Sequence, residues 1–300
     1  MSVEADLKQL AAGTLGWLAE NLDSFDPFEA DPRTPGLRRA KAPLELALLC
    51  HCWSRHDGQD ARLDKANALL RRVWQHPGFL GLLTAEPEAA AAYRLVAAAL
   101  APHGVDPWAG GAPPTAEDLP PERWLPYHRL ELRFYADKAG VRHTIEPYED
   151  LVEKNVLVTL PAAPAGQPPE PPVTVPRAYA LTHSASYLTD FGRTAPGLTP
   201  DALTAAADLL DRQLAHCVRH DWWDLAAELV TARHCLGGTP LDTAVGAAAV
   251  RCLARAQLPS GALPGRTAAD RDDASGPLFF AKAYHTTLVT ALMTLLVGVR

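Results

Sequence analysis

The sequence contains few cysteines, no long run of charge of either sign and no long uninterrupted apolar segment. Its five cysteines are an odd number and mostly lie in apolar helical patterns, which favours reduced, buried thiols over a disulfide framework. No stretch reaches the roughly 18 apolar residues of a membrane span, and 287–299 comes nearest. The start of the chain lacks the basic and apolar segments of a signal peptide. We therefore expect a cytoplasmic protein that does not associate with membranes.

The sequence also lacks a basic excess and the common nucleotide-binding motifs. Lys and Arg number 28 against 35 Asp and Glu, a net charge of −7, so a nucleic-acid partner is not expected. With 48% hydrophobic and 21% charged residues, general disorder is excluded. There is no GxGxxG, P-loop, kinase set, G-x-S-x-G elbow or paired CxxC, which argues against nucleotide-driven chemistry and the common hydrolase elbow. A small molecule is the expected partner, and a homodimer is left open.

Proline is the informative excess, at 27 residues. Prolines and glycines separate segments in which apolar residues recur every three or four positions, the period of a helix. One short alternation at Leu130, Leu132 and Phe134 would also suit a strand, and we favour a helix there. The pattern predicts about eleven or twelve helices, at 4–22, 38–56, 60–75, 78–84, 87–101, 121–139, 146–158, 177–191, 200–219, 222–236, 241–256 and 279–298.

The helices follow one another in pairs. A repeat of about 40–50 residues per pair is typical of solenoids and of closed α/α toroids. We therefore predict an all-α fold with a single domain over residues 1–300, either an α/α toroid of about six helix pairs or a closed helical solenoid. Residues 161–176 hold seven prolines and cannot form a helix or a central strand. This segment is a candidate domain boundary, and we favour a long surface loop.

The most distinctive polar pattern lies in the helix predicted at 177–191. On a helix, His183, Tyr187 and Asp190 are separated by four and three positions, so all three project from one face. Thr182 and Ser186 form a neighbouring polar edge. An imidazole, a phenol and a carboxylate together can act as a general acid or base, hold a polar substrate or bind a metal. A buried hydrogen-bond network between helices is the structural alternative.

A second polar face lies in the helix predicted at 222–236. Asp221, Asp224 and Glu228 share that face, and three carboxylates repel one another unless a cation or a proton intervenes. We expect Asp221 to cap the helix. Asp224 and Glu228 are candidate substrate-binding residues, although they could instead face solvent or pair with arginine.

Further candidates lie in other helices. Tyr284 and His285 stand at the head of the last apolar helix, where polar residues would line the mouth of a toroid cavity. We take His285 as a candidate catalytic residue and Tyr284 as a candidate substrate-binding residue. His128, on the stripe of the helix predicted at 121–139, is a further substrate-binding candidate.

Several segments resemble a family of uncharacterised all-helical proteins from GC-rich actinobacteria, often associated with specialised-metabolite gene clusters. The resemblance spans most of the chain and implies an all-helical fold but names no activity. In the family the polar helix commonly reads Thr-His-x-x-Phe-Tyr-x-Thr-Asp-Phe-Gly, and here Ser186 occupies the aromatic position before Tyr187, which reshapes one wall of a pocket. The segments that carry the resemblance are Leu15–Asp23, Tyr179–Gly192, Asp224–Leu229 and Tyr284–Thr287.

A more distant resemblance concerns architecture. The turn-rich loop from Gln257 to Gly261, followed by a helix that carries Tyr-His-Thr-Thr, is similar to loops of α/α-toroid enzymes such as terpenoid cyclases and prenyltransferase β-subunits. The aspartate-rich motifs of the cyclases are missing, so the resemblance implies their architecture and not their chemistry.

These observations lead to three functional hypotheses. The first is a small-molecule biosynthetic enzyme, a cofactor-independent isomerase, cyclase or lyase that encloses a hydrophobic or peptidic intermediate of specialised metabolism. His183 would be its acid or base, assisted by Tyr187 and Asp190, with His285 as a second polar anchor. The second is a non-catalytic binding or scaffold protein. The third is a metal-dependent hydrolase or lyase that uses His183, Asp190 and His285.

Overall fold

The described part of the chain is built from helices. A computed structural model describes residues 2–29, 36–55, 60–108, 111–119, 124–160, 172–268 and 276–298. Within these ranges, the β-type pairing is a single isolated bridge between Trp222 and Thr267. The predicted all-α class is therefore confirmed. Most of the proline-rich segment predicted as a loop, residues 161–171, lies outside the described residues.

The helix boundaries agree closely with the apolar periodicity of the sequence. In the described residues, three short 3-10 helices accompany the α-helices, at Leu22–Phe25, Ala116–Asp118 and Pro240–Asp242. The segment around Leu132 is helical, so the competing strand pattern is not adopted. The α-helices are α1 Val3–Glu20, α2 Gly36–Trp53, α3 Ala61–Gln75, α4 Phe79–Leu83, α5 Pro87–Ala99, α6 Pro126–Lys138, α7 Tyr148–Glu153, α8 Val156–Thr159, α9 Val175–Leu188, α10 Pro200–Arg219, α11 Trp223–Cys235, α12 Ala244–Ala256 and α13 Gly276–Val297.

Capping side chains fix where several helices begin. Thr199 accepts a hydrogen bond from the backbone N–H of Ala202 at the start of α10, and Thr243 accepts one from Gly246 at the start of α12. Each bond satisfies one of the backbone donors that a helix leaves unpaired at its first turn. The Thr199-Pro200 pair of the sequence predicted the first start. Thr239-Pro240 instead begins the 3-10 helix Pro240–Asp242 without a side-chain cap, and α12 begins three residues after the predicted position 241.

The helix predicted at 146–158 is instead two short helices, α7 and α8. The side chain of Asn155 accepts a hydrogen bond from the N–H of Leu157 at 3.0 Å and caps α8. An asparagine at this position favours a new helix start over continuation of the old one, because its side chain competes for backbone donors. The apolar period continues across the break and conceals it.

The chain divides into two compact units. The first comprises Met1–Trp17, Leu125–Glu131 and Glu146–Arg300, and the second comprises Leu18–Trp124 and Leu132–Ile145. In the second unit, α2 packs against α3 and α4. The single domain and the toroid concern the arrangement of the whole chain, and both stay predictions.

Helix α11 is the centre of the first unit. It packs against α9, α10, α12 and α13, and ten of its thirteen residues are buried. A helix covered on all sides is normally apolar all round, yet α11 carries the carboxylate of Asp224, of which only 2% is exposed. The packing of α11 therefore holds polar groups deep in this unit.

The loop after α12 is held tightly against α1 within the same unit. The side-chain amide of Gln257 donates to the carbonyl oxygens of Leu10 and Gly261, at 3.3 and 3.0 Å. Gly261 has φ of +92°, and a Cβ atom there would lie 2.2 Å from the carbonyl oxygen of Gly13. Only glycine allows this close approach of two backbones.

Helix α13 is long and apolar enough to cross a membrane by length and composition, the one such helix in the part of the chain that the structure describes. However, 61% of the stretch that meets this test is buried inside the protein, and α13 packs against α11. A core helix of a soluble protein has the same composition. The cytoplasmic location stays a prediction.

The five cysteines are buried thiols, as the sequence predicts. Burial raises the pKa of the Cys50, Cys217 and Cys252 thiols to about 12 and that of Cys235 to about 11. Desolvation disfavours the thiolate, so these groups stay protonated at neutral pH.

Candidate functional site

Helix α9 presents a stripe of three rings. Tyr179, His183 and Tyr187 follow one another at intervals of four residues, and their ring centroids lie 6.4 and 5.9 Å apart in edge-to-face contacts. Tyr187 is buried, whereas 39% of the His183 side chain is exposed. Tyr179 was not among the predicted site residues, although its position one turn before His183 is the signal that would have found it.

Asp190 does not belong to this stripe, so the prediction that it shares a helical face with His183 and Tyr187 is wrong. Helix α9 ends at Leu188, and Asp190 and Phe191 have positive φ angles of 46° and 57°. Left-handed backbone at these two positions turns the chain away from the helical path. The Asp190 carboxylate instead lies 3.8 Å from the guanidinium Nε of Arg193.

Glu131 of α6 supplies the carboxylate beside His183. Its Oε2 atom lies 3.9 Å from Nδ1 of His183, and it is hydrogen-bonded to Tyr187. His128, one helical turn earlier on α6, lies close enough for its charge to act on Glu131. The structure thus brings together the predicted residues His128, His183 and Tyr187. Sequence reasoning missed Glu131, whose spacing of three from His128 is the available signal.

The electrostatics of this group follow from burial and from its neighbours. Burial by itself would raise the pKa of Glu131, but the contacts with His183 and Tyr187 outweigh it and hold that pKa below the usual value. Burial lowers the pKa of His128. Burial and the nearby Glu131 charge raise the pKa of Tyr127. Glu131 is therefore ionised at neutral pH, whereas Tyr127 keeps its proton.

Asp224 of α11 is the centre of a second polar group. The Tyr179 hydroxyl donates to Oδ2 of Asp224 at 2.5 Å, and the backbone N–H of Leu225 donates to Oδ1 at 2.7 Å. The guanidinium Nε of Arg266 lies 3.7 Å from Oδ2. Burial, followed by the Asp224 charge, raises the pKa of Tyr179 well above its ordinary value. Tyr179 is consequently a neutral hydrogen-bond donor over the whole physiological range.

Glu228, one turn further along α11, contacts two other helices. The Thr182 hydroxyl of α9 donates to Oε2 of Glu228 at 2.6 Å. On the other side, Nε2 of His285 in α13 lies 3.8 Å from Oε1 of Glu228. The predicted residues Thr182, Glu228 and His285 are therefore brought together, and 16% of the His285 side chain is exposed.

Tyr284 ends a row of stacked aromatic rings. Phe280 stacks on Trp17 with centroids 5.8 Å apart and on Tyr284 with centroids 5.3 Å apart, and the planes differ by 18° and 17°. The Tyr284 ring in turn lies 6.4 Å from that of His285. The row of rings therefore ends beside His285, which is paired with Glu228.

Two other predicted residues have structural contacts. The buried Ser186 hydroxyl donates to the backbone carbonyl of Thr182 at 3.0 Å, a bond within its own helix. Asp221 does not cap α11, so that prediction is wrong: Trp222 stands at the N-cap position with no side-chain capping bond. Asp221 instead has a positive φ of 50° and contacts the thiol of Cys252 at 3.3 Å.

The predicted metal ligands do not meet. Among the residues that the structure describes, no three His, Cys, Asp or Glu side chains lie close enough together to hold a metal ion. His183, Asp190 and His285 therefore do not form a three-ligand group.

A family described as Domain of unknown function (DUF6895) matches residues 11–295. The chain belongs to this family. No curated protein and no solved structure matches the sequence. The likeness to actinobacterial proteins and to terpenoid cyclases stays a prediction.

In this DUF6895 chain, the site combines two histidines with two carboxylates. Glu131 lies beside His183, and Glu228 lies beside His285. A carboxylate next to an imidazole favours the protonated ring and fixes its orientation. Histidine beside a carboxylate is a common arrangement in general acid–base catalysis.

Proposed function

We propose that this DUF6895 protein is a cofactor-independent acid–base enzyme, an isomerase, cyclase or lyase acting on a small molecule of specialised metabolism. The observation that carries the proposal is the partly exposed imidazole of His183, held 3.9 Å from the ionised carboxylate of Glu131. A histidine that both meets solvent and has a carboxylate beside it is suited to proton transfer.

In the proposed mechanism, His183 exchanges the proton with the substrate. Glu131 is a positioning residue: it orients the imidazole and stabilises the imidazolium that forms when His183 takes up a proton. Tyr187 holds Glu131 in turn through its hydrogen bond. This arrangement gives Glu131 the role that the sequence suggested for Asp190.

The surroundings of His183 support a substrate with apolar parts. The rings of Tyr179 and Tyr187 flank the imidazole, and aromatic faces bind apolar or planar groups. Tyr284 extends the stacked row formed with Phe280. These surfaces fit the hydrophobic or peptidic intermediate expected from the sequence, and the resemblance to actinobacterial proteins points to specialised metabolism.

The test is a conversion assay on a complex mixture. Wild-type protein and the His183→Gln variant are incubated, without added cofactor, with a small-molecule extract of an actinobacterial culture, and compounds consumed or formed are followed by mass spectrometry. Wild type should convert at least one compound, and H183Q should lose that conversion. The matched control is His143→Gln, because His143 is also paired with a carboxylate, that of Asp137 at 2.9 Å, and should convert normally.

A non-catalytic binding or scaffold protein is the second candidate. It is favoured by the hydrogen bonds from Tyr179 to Asp224 and from Thr182 to Glu228, which join α9 to α11 as a structural network would. If no compound changes, and a small molecule that co-purifies with wild type also co-purifies unaltered with H183Q, the binding protein is the better account.

A further inference from the structure

The two histidines of the site are built alike. His183 faces Glu131 at 3.9 Å, and Glu131 is hydrogen-bonded to Tyr187. His285 faces Glu228 at 3.8 Å, and Glu228 accepts a hydrogen bond from Thr182. Each imidazole therefore has a carboxylate at ion-pair distance, and each carboxylate is held by a hydroxyl group. We call these the first and second histidine groups.

Helix α9 contributes residues to both groups. Thr182, which holds Glu228, is the residue before His183 in α9, so one turn of a single helix contributes to both groups. Tyr179, one turn earlier, is close enough to be affected by the charges of both Asp224 and Glu228. All of these residues belong to the first compact unit.

We propose that His285 is a second acid–base residue and that the reaction is an isomerisation with two proton transfers. This inference rests on the proposed function and narrows it from three reaction types to one. Neutral His183 removes a proton from one position of the substrate, and protonated His285 delivers a proton to another. The substrate then has its original composition with one hydrogen moved, while His183 has gained a proton and His285 has lost one.

The two histidines differ in their exposure to solvent in a way that suits these two proton transfers. His183 has 39% of its side chain exposed and can return its proton to water, whereas His285 has 16% exposed. A less accessible acid delivers its proton to the substrate with less competition from water. Both histidines regain their starting states by exchange with solvent, so no oxidant, reductant or co-reactant is consumed.

The experiment is the same extract assay carried out in D2O with wild type, His183→Gln and His285→Gln. Wild type should form an isomer of the substrate in which one hydrogen has been replaced by deuterium from the solvent. H285Q should form this isomer at least about 100-fold more slowly, the lower range for loss of a general acid. It should nevertheless still place deuterium in the unreacted substrate, because His183 continues to remove and return a proton. H183Q should show neither reaction.

A second variant distinguishes loss of the acid from misfolding of H285Q. Glu228→Gln keeps the shape of the side chain and its bond from Thr182 but removes the charge beside His285, and it should reproduce the exchange without conversion. The inference is overturned if H285Q and E228Q convert the substrate normally, if they lose exchange and conversion together, or if wild type forms a product of lower mass by elimination. In the last case the acid–base role of His183 still stands, whereas failure of H183Q to affect any conversion contradicts the proposed function itself.

Discussion

Glu131 is buried enough for its charge to be costly, yet its contacts favour the ionised form. The nearby imidazole of His183 and the hydroxyl of Tyr187 outweigh the cost of desolvation, so the pKa of Glu131 lies below the usual value. A carboxylate held ionised in this way stabilises a positive charge on the adjacent ring. The same interaction contributes to the stability of the folded protein, and this can be measured without knowing the substrate.

Replacing Glu131 with Gln should reduce the loss of stability in acid. A carboxylate whose folded-state pKa is depressed stabilises the fold above its unfolded pKa, about 4.3, and this stabilisation is lost as the pH falls through the folded-state pKa. Wild type should therefore lose stability more steeply than E131Q as the pH falls below about 4.3, as measured by urea unfolding across a pH series. The variant Glu149→Gln, at an exposed position, serves as control. If the free energy of unfolding fell equally steeply with decreasing pH in wild type and E131Q, the account would be contradicted.

At the residue scale, helical spacing predicted contacts within one helix better than contacts between helices. His183 and Tyr187 contact each other because helical spacing places them on one face of α9. Glu228 and His285 lie beside each other because α11 packs against α13. Asp190 fails because the spacing rule holds only while the helix continues, and α9 ends two residues earlier. Glu131 was missed because its contact with His183 joins two helices, and the spacing of three from His128 shows only that Glu131 and His128 share a face of α6.

Helix starts and turns were more predictable than contacts between helices. Threonine caps, prolines in first turns and glycine stops are local signals, and they predicted most element boundaries to within a few residues. The break between α7 and α8 was missed because the apolar period runs through it, and only the cap made by Asn155 marks it. How the loop after α12 meets α1 depends on tertiary packing, which the sequence did not show.

The substitution Gly261→Ala tests that packing. An alanine there would combine a positive φ of +92° with a Cβ atom 2.2 Å from the Gly13 carbonyl oxygen, so α1 or the loop must shift. We expect a loss of about 3 kcal/mol or more in the free energy of unfolding. Gly104→Ala is the matched control: Gly104 also has a positive φ, +81°, but nothing lies within 4 Å of an added Cβ.

The free energy of unfolding of Gly104→Ala should fall by only about 1–2 kcal/mol, which is the cost of left-handed backbone for a residue with a Cβ atom. Chemical denaturation of both variants measures the difference. Equal losses would show that the approach of the loop to α1 does not constrain the fold.

At the scale of the whole molecule, the composition correctly indicated a folded chain. A chain with 48% hydrophobic residues and 27 prolines forms many helices in its described part, and the DUF6895 match extends over nearly all of the chain. The site residues come from α6, α9, α11 and α13, which are far apart in the sequence, so the site exists only when the first unit is folded. The arrangement of the whole chain is the part that helical periodicity could not predict.

The reactivity of the cysteine thiols shows whether the protein is folded. All five are buried, and burial raises the pKa of the Cys50 and Cys252 thiols to about 12. Since the thiolate is the reactive form, the native protein should not react with a thiol reagent during a brief exposure at neutral pH, and all five groups should react after denaturation. Rapid labelling of any cysteine in the native protein would contradict the buried placement.

The central claim is that His183 transfers protons, and the ratio of conversion rates of wild type and H183Q in the extract assay tests it most directly. Loss of a general acid or base typically costs about 10²–10⁴-fold in rate, and we predict a ratio in this range for H183Q, with H143Q close to wild type. Conversion by H183Q within about twofold of wild type, far less than that expected loss, would contradict the account.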